Sequence, residues 1–255
     1  MKGPLFLLIF PMLLQACTGQ GHSGHSAASS PSPSTTPTAS PAVQDEVMQD
    51  VRPGSPGYRY LVTYPHLVGA GGAGLEVVNA NVKGSVADVV DSFVAEAANW
   101  RPMVPQPHSY SELTCKYATV RLTAGLASMR EDCYDDFAGN AHGTPSTISL
   151  NFALRDGRLL VLADLFRAGT PYLRVLANEA KRILKRTLKQ SFRTDGAAPT
   201  EQNYRIFVVT ETSITIIFAP YQVGPGNAGQ PEAPIIYATI EPYLRPWAKT
   251  LILSP

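Results

Sequence analysis

The chain has 255 residues, 44% of them hydrophobic, with 21 Lys and Arg against 20 Asp and Glu. Loss of a leader carrying Lys2 leaves twenty basic and twenty acidic residues, a balance that gives no sign of the basic face a nucleic-acid partner requires, and no such partner is expected. The part beyond the low-complexity N-terminus, about two hundred residues, suits one domain or two tightly joined halves.

Lys2 and the apolar run Pro4–Leu14 lead into Leu14-Gln15-Ala16-Cys17. A charged start, a short apolar segment and a small residue before the cut read as an export signal over residues 1–16. The run is too short for a membrane span, which needs about 20 residues. A Cys at the cut resembles the bacterial lipoprotein signal, in which that residue, here Cys17, is acylated and becomes the mature N-terminus. An ordinary leader with a stray Cys is the alternative. Thr18, not Asp, follows Cys17. By the sorting rule of Gram-negative lipoproteins this points to the outer membrane, facing the periplasm; in a Gram-positive host the anchor would be in the plasma membrane.

Residues 17–57 are rich in Ser, Pro and Thr and almost free of large apolar side chains. They cannot offset their ordering entropy by burial, so an extended, unstructured tether is expected. His22 and His25 have no Cys or carboxylate near them, and no metal is assigned there.

The folded domain is expected over 58–255, in halves of about 58–165 and 166–255. Tyr58–Tyr64 reads as a strand ended by Pro65. Leu75, Val78, Val82, Val86, Val89, Phe93 and Ala97 recur at three and four, the face of an amphipathic helix up to Trp100. Thr114–Leu122 and Leu126–Tyr134 form a hairpin about Thr123-Ala124-Gly125, with Gly125 at the left-handed position. Pairing Leu122 with Leu126 places Cys115 opposite Cys133. In an exported chain that pair reads as a structural disulfide. Thr147–Arg155 and Arg158–Leu162 flank the turn Asp156-Gly157. Thr170 then caps a second amphipathic helix with Pro171 at its first position. Its buried stripe is Leu173, Leu176, Ala180, Ile183, Leu184 and Leu188. Arg205–Thr210 and Ser213–Ala219 form a further hairpin, and Ile235–Ala238 a last short strand. The fold class is therefore α+β: antiparallel hairpins packed with two long amphipathic helices.

The basic residues Lys181, Arg182, Lys185, Arg186 and Lys189 fall at helical spacing and read as a solvated face. Gly139-Asn140-Ala141-His142-Gly143 lies between strands. His142, with Asp135 or Asp136, could serve as a general base, or it could pin a loop to backbone. Glu131, Asp132, Asp135 and Asp136 crowd six positions, but strand alternation separates neighbours and no EF-hand pattern is present, so no calcium site is assigned. No nucleophile elbow, phosphate loop or His-Glu-x-x-His occurs. No cofactor is implied, and binding is favoured over catalysis.

An ordered series of short motifs carries a resemblance. It runs Tyr64-Pro65-His66, Val78-Asn79-Ala80, Phe137–Gly143, Asn151-Phe152, Leu162–Phe166, and Phe218-Ala219-Pro220-Tyr221-Gln222-Val223-Gly224-Pro225. Over about 58–244 this resembles the extracytoplasmic domain of RsiV-type anti-sigma factors and the domain preceding the catalytic one in PdaC-type peptidoglycan deacetylases. The resemblance implies an α+β fold, residence in the envelope and a binding module, with lysozyme as the partner of RsiV-type proteins. Asn140 stands where the family carries a second glycine. RsiV-type proteins also have a transmembrane helix and a sigma-binding segment, which this sequence does not show, so control of a sigma factor is not expected. The loop Tyr221–Gln230, with Gly224, Pro225, Asn227 and Gly229, is the expected contact surface, with Asn140 and His142 as further candidates. The expected partners are a membrane through the lipid and a lysozyme-like hydrolase or peptidoglycan. The alternative is a hydrolase of envelope glycans or esters working through His142 and a carboxylate.

Overall fold

The computed structural model of the chain describes residues 40–54, 57–69, 72–100 and 110–253. The leader, Cys17, His22 and His25 lie outside the described residues.

The architecture is mixed α and β, a six-stranded sheet followed by a three-stranded one with helices against both. The large sheet begins with β1 (Ala42–Arg52) antiparallel to β2 (Gly57–Val68). β1 lies inside the stretch expected to be an unstructured tether. It forms because its backbone pairs with β2 along its whole length; most of its side chains are exposed, with Met48 packed at the edge of the core. β2 does not stop at Pro65. β3 pairs with it only over Gly57–Thr63, so Pro65 sits where one neighbouring strand remains, a place that tolerates a missing N–H.

Helix α1 (Gly72–Asn99) then crosses to β3 (Tyr110–Leu122), which is parallel to β2. The sheet is thus mixed rather than antiparallel throughout, because a helix-length crossover returns the chain in the same direction. Leu75, Val78, Val82, Val86, Val90, Phe93 and Ala97 are the buried side of α1. They pack on Val62, Leu113, Met129, Leu150 and Phe152 of the sheet as one core.

β4 (Leu126–Asp136), β5 (Thr144–Ala153) and the two-residue β6 (Arg158–Leu159) complete the order β1-β2-β3-β4-β5-β6. Cys115 pairs with Cys133 and the two are disulfide-bonded. The turn differs from expectation. Leu122 faces Ala127, and a one-residue shift between Thr119 and Arg121 restores the cysteine pairing. Such an extra residue is a bulge, which one strand accommodates by bending. Gly125 does not take a positive φ; the Thr123 hydroxyl instead accepts from the N–H groups of Gly125 (3.3 Å) and Leu126 (3.1 Å). At the next turn Gly157 carries the positive φ, 72°, alone.

The second half opens with α2 (Leu162–Leu165) and α3 (Tyr172–Leu188). Thr170 does not cap α3: its hydroxyl donates to the carbonyl of Arg167, and Pro171 is the boundary residue. Leu176, Ala177, Ala180 and Leu184 are buried, while Leu173, Ile183 and Leu188 lie half-buried at the edge of the same core. That core also takes Phe207, Ile214, Ile216 and Ile235 from β7 (Phe207–Val209), β8 (Ser213–Ile217) and β9 (Glu232–Ile236). β8 lies between β7 and β9 and is buried along its whole length. Helices α4 (Tyr237–Ile240) and α5 (Pro246–Leu253) close the chain. No helix among the described residues is long and apolar enough to cross a membrane.

Candidate functional site

Two of the motifs quoted for the resemblance, those of His66 and Asn79, meet, and most of the quoted residues hold the fold. The Asn79 amide donates to the Leu67 carbonyl (2.9 Å), accepts from the Leu67 N–H (2.8 Å) and contacts His66 Nε2 (3.3 Å). One side chain of α1 thereby supplies Leu67 of β2 with the two backbone bonds a neighbouring strand would have made. The Glu46 carboxylate binds the Tyr64 hydroxyl (2.7 Å) and His66 Nδ1 (3.0 Å), clasping β1 to β2.

The loop over residues 137–143 is pinned in the same way. Trp100 donates its indole N–H to the Ala138 carbonyl (2.8 Å) and lies against Phe137. The Gly143 N–H donates to the Tyr134 hydroxyl (2.9 Å). A Cβ at Gly143 would come within 2.3 Å of the Asp135 carbonyl oxygen, so only glycine fits. The left-handed residue here is Gly139, φ 85°, and not Asn140. His142 is exposed, and its Nδ1 contacts the carbonyl of Gly143 at 3.0 Å. Among the described residues no hydrogen bond or ion pair joins His142 to Asp135 or Asp136, so a base held by a carboxylate is not assembled.

The acidic run divides as strand alternation dictates. Asp132 lies on the outer face, where it accepts from Arg130 (2.8 Å) and Thr147 (2.6 Å). Glu131 points inward and is fully buried, with neither carboxylate oxygen hydrogen-bonded. Burial, and then the charge of Asp132, push its carboxyl up to about 8. One of its oxygens lies within 4.8 Å of the sulfurs of Cys115 and Cys133, which are committed to the disulfide.

The loop after β8 is shaped by Gln222. This side chain accepts from the Ala219 N–H (3.0 Å) and donates to the carbonyls of Gly196 (2.9 Å) and Asn203 (3.2 Å). A Cβ at Gly196 would fall 1.8 Å from the Gln222 carbonyl oxygen, so the loop and the 3-10 turn beneath it touch backbone to backbone. Val223 is buried. Tyr221, by contrast, is 57% exposed with φ at 64°. A bulky side chain in the left-handed region is strained, by about 1–2 kcal/mol, and such strain gathers at functional positions. Its ring lies over Gly226, where a Cβ would sit 2.4 Å from it. Gly229 takes φ 64°, and Asn227 is exposed between them.

Beside this loop is a groove that the sequence reading did not find. One cavity of about 280 Å³ is lined by Val161, Leu162, Ala163, Tyr172, Leu173, Glu201, Gln202 and Arg205. A second of about 270 Å³ is lined by Gln202, Asn203, Arg205, Ile206, Ile217, Ala219 and Gln222. Gln202 and Arg205 belong to both, so the two depressions adjoin. Tyr172 stacks on Phe166 at 4.4 Å; burial, and then the charge of Glu201, raise its phenol above the ordinary value. Arg205 is exposed and has no ion-pair partner among the described residues. The lining comes from four separated segments; Leu162 and Ala163, and Ala219 and Gln222, belong to motifs quoted for the resemblance, whereas Tyr172, Leu173 and the stretch from Glu201 to Ile206 carry none.

Residues 163–238 match the model of a family described as "Protein of unknown function (DUF3298)". The matched segment contains most of the groove and the whole Tyr221 loop. Two solved structures share the fold. A DUF3298 family member from Bacteroides fragilis NCTC 9343 is 16% identical, with a TM-score of 0.58, covering 82% of this chain and 95% of its own. A DUF3298 family protein from Pseudomonas aeruginosa PAO1 is 14% identical, with a TM-score of 0.60, covering 81% and 95%. No curated protein matches the sequence.

Proposed function

We propose that the protein is a lipid-anchored envelope module that binds an extended cell-wall glycan in the groove around Gln202 and Arg205. The observation that carries the reading is the pair of adjoining cavities on these two residues. A double depression suits an elongated ligand better than a compact one. Tyr172, Val161 and Leu173 offer apolar surface for the faces of sugar rings. Glu201, Gln202 and Asn203 offer partners for hydroxyl groups, and the Arg205 guanidinium suits carboxylates pendant from a wall polymer. The export signal and Cys17 supply the anchor. The hydrolase alternative finds less support, because His142 contacts a backbone carbonyl and lines neither cavity.

A second reading rests on Tyr221. An exposed aromatic in a strained backbone on a braced loop also suits docking of a protein such as a lysozyme-like hydrolase. One binding experiment separates the two. The full chain is titrated against purified peptidoglycan and against lysozyme. Arg205→Ala is expected to weaken peptidoglycan binding about tenfold, the worth of one charge-assisted hydrogen bond, with the circular dichroism spectrum unchanged. Tyr221→Gly is expected to remove lysozyme binding if that partner is the ligand. Unchanged retention by peptidoglycan in Arg205→Ala overturns the groove reading. Cys17→Ser is expected to leave the membrane fraction; a variant that stays there overturns the anchor.

A further inference from the structure

We propose that β1 is a self-recognition edge, through which two copies of this chain pair antiparallel about a twofold axis at Val47. β1 is the terminal strand of its sheet, and among the described residues no strand occupies its outer side. Its pairing with β2 runs from Ala42 to Arg52 without a register shift. The outward N–H and C=O groups therefore form a regular row eleven residues long. Proteins blunt such edges with proline, lysine or a bulge. The segment AVQDEVMQDVR contains none of these. Its guards are the charged Asp45, Glu46, Asp50 and Arg52, and the Asp50 carboxylate also accepts from the Val51 N–H (2.8 Å).

These acids choose a register rather than forbid pairing. A twofold axis that keeps both faces of the sheet continuous pairs residues of the same face. With the axis at Val47, Val43 meets Val51, Val47 meets Val47, Asp45 meets Gln49, Gln44 meets Asp50 and Glu46 meets Met48. No two like charges face each other, and three Val–Val pairs line one face, where Val47 and Val51 are 55% and 60% exposed in the single chain. Cross-strand pairs of β-branched residues stabilise a sheet, and like charges directly opposed oppose it. Moving the axis to Glu46 or Asp45 sets that acid against itself. Moving it to Met48 sets Glu46 against Asp50, and moving it to Gln49 shortens the paired stretch to residues 46–52. The sequence of β1 therefore complements itself in one full-length register. The occupant is a second copy, in a closed isologous pair.

The full chain with Val47→Cys is expected to form a disulfide-linked dimer on mild oxidation, well above the level of the parent protein. Gln44→Cys is the control, because across the axis the two Gln44 positions are about 20 Å apart. Each β1 carries three acids and one arginine, so the concentration-dependent mass of the parent should shift toward dimer as salt rises. Val47→Asp places two acids against each other at an exposed position and is expected to be monomeric with an unchanged circular dichroism spectrum. A parent that stays monomeric at hundreds of micromolar overturns the proposal. Equal cross-linking at positions 44 and 47, or a dimer that survives Val47→Asp, overturns it as well.

Discussion

Glu131 shows what a single buried group imposes on the protein. Both its oxygens lack partners inside a closed core, and its carboxyl is pushed up to about 8 by burial first and by Asp132 second. The folded state therefore holds a proton that the unfolded chain gives up near its ordinary value of 4.5. The folded pKa is the higher one, so folding takes up a proton between these values. The stability contribution is largest below about pH 4.5 and is lost as pH rises toward about 8, at up to about 1.4 kcal/mol per pH unit. Urea unfolding of the parent at pH 5, 6, 7 and 8 should show this decline, and Glu131→Gln should flatten it. A parallel decline in the two proteins would show that another group is responsible. The inward direction of Glu131 follows from strand alternation, which puts it on the face of Cys133, and Cys133 is buried. That nothing inside meets the carboxyl belongs to the packing of α1 and the neighbouring strands, which residue spacing does not disclose.

Among the elements, the β3–β4 hairpin and β1 mark the two ends of what the sequence made legible. Two cysteines flanking a short turn determined their own pairing, and the bond is present. The turn was off by one residue, and the bulge after Thr119 absorbs the difference. Bulges answer to twist and to side-chain fit across strands, which are properties of the assembled sheet. β1 was illegible because its order comes from backbone pairing with β2, while its three valines stand four residues apart among acids and glutamines and do not alternate as a half-buried strand would. The groove was illegible for a related reason: Val161, Tyr172, Glu201 and Gln222 become neighbours only through the packing of α2, α3 and the loop after β8. The readable hints were the motif Leu162–Phe166, whose first two residues line the first cavity, and the loop Tyr221–Gln230, whose Gln222 lines the second. The disulfide closes a separation of 18 residues, and for a loop of that size the constraint on the unfolded chain is worth about 3 kcal/mol. The double variant Cys115→Ser and Cys133→Ser is expected to lose about that much in urea unfolding. A loss under about 1 kcal/mol would mean that the hairpin is already held by the core on α1.

At the scale of the whole molecule, the two sheets are joined by side chains where no backbone ladder connects them. The Ser128 hydroxyl donates to the Asn151 side-chain oxygen (2.7 Å), the Asn151 amide donates to the Phe207 carbonyl (2.8 Å), and the Val209 N–H donates to Ser128 (2.8 Å). Ser128 and Asn151 are fully buried. A closed polar circuit in a dry setting is strong while complete and costly once broken, because each orphaned group loses its partner without regaining water. Arg121 adds a second link, from β3 to the carbonyls of Thr210 (3.2 Å) and Ile252 (2.5 Å). The six-stranded sheet with α1 and the three-stranded sheet with α3 should therefore unfold in one cooperative transition. Asn151→Leu keeps the volume but strands the Phe207 carbonyl and leaves Ser128 without its acceptor. It is expected to cost about 2–4 kcal/mol. The informative comparison is between probes for each half, Trp100 fluorescence in a Trp247→Phe background and exchange of the amides of β8. Coincident transitions in the parent that separate in Asn151→Leu would show that this circuit, and not the apolar contact alone, makes the halves one folding unit. Transitions that already separate in the parent would show that each core carries its own half, with the circuit setting only how the groove-bearing half is oriented on the large sheet.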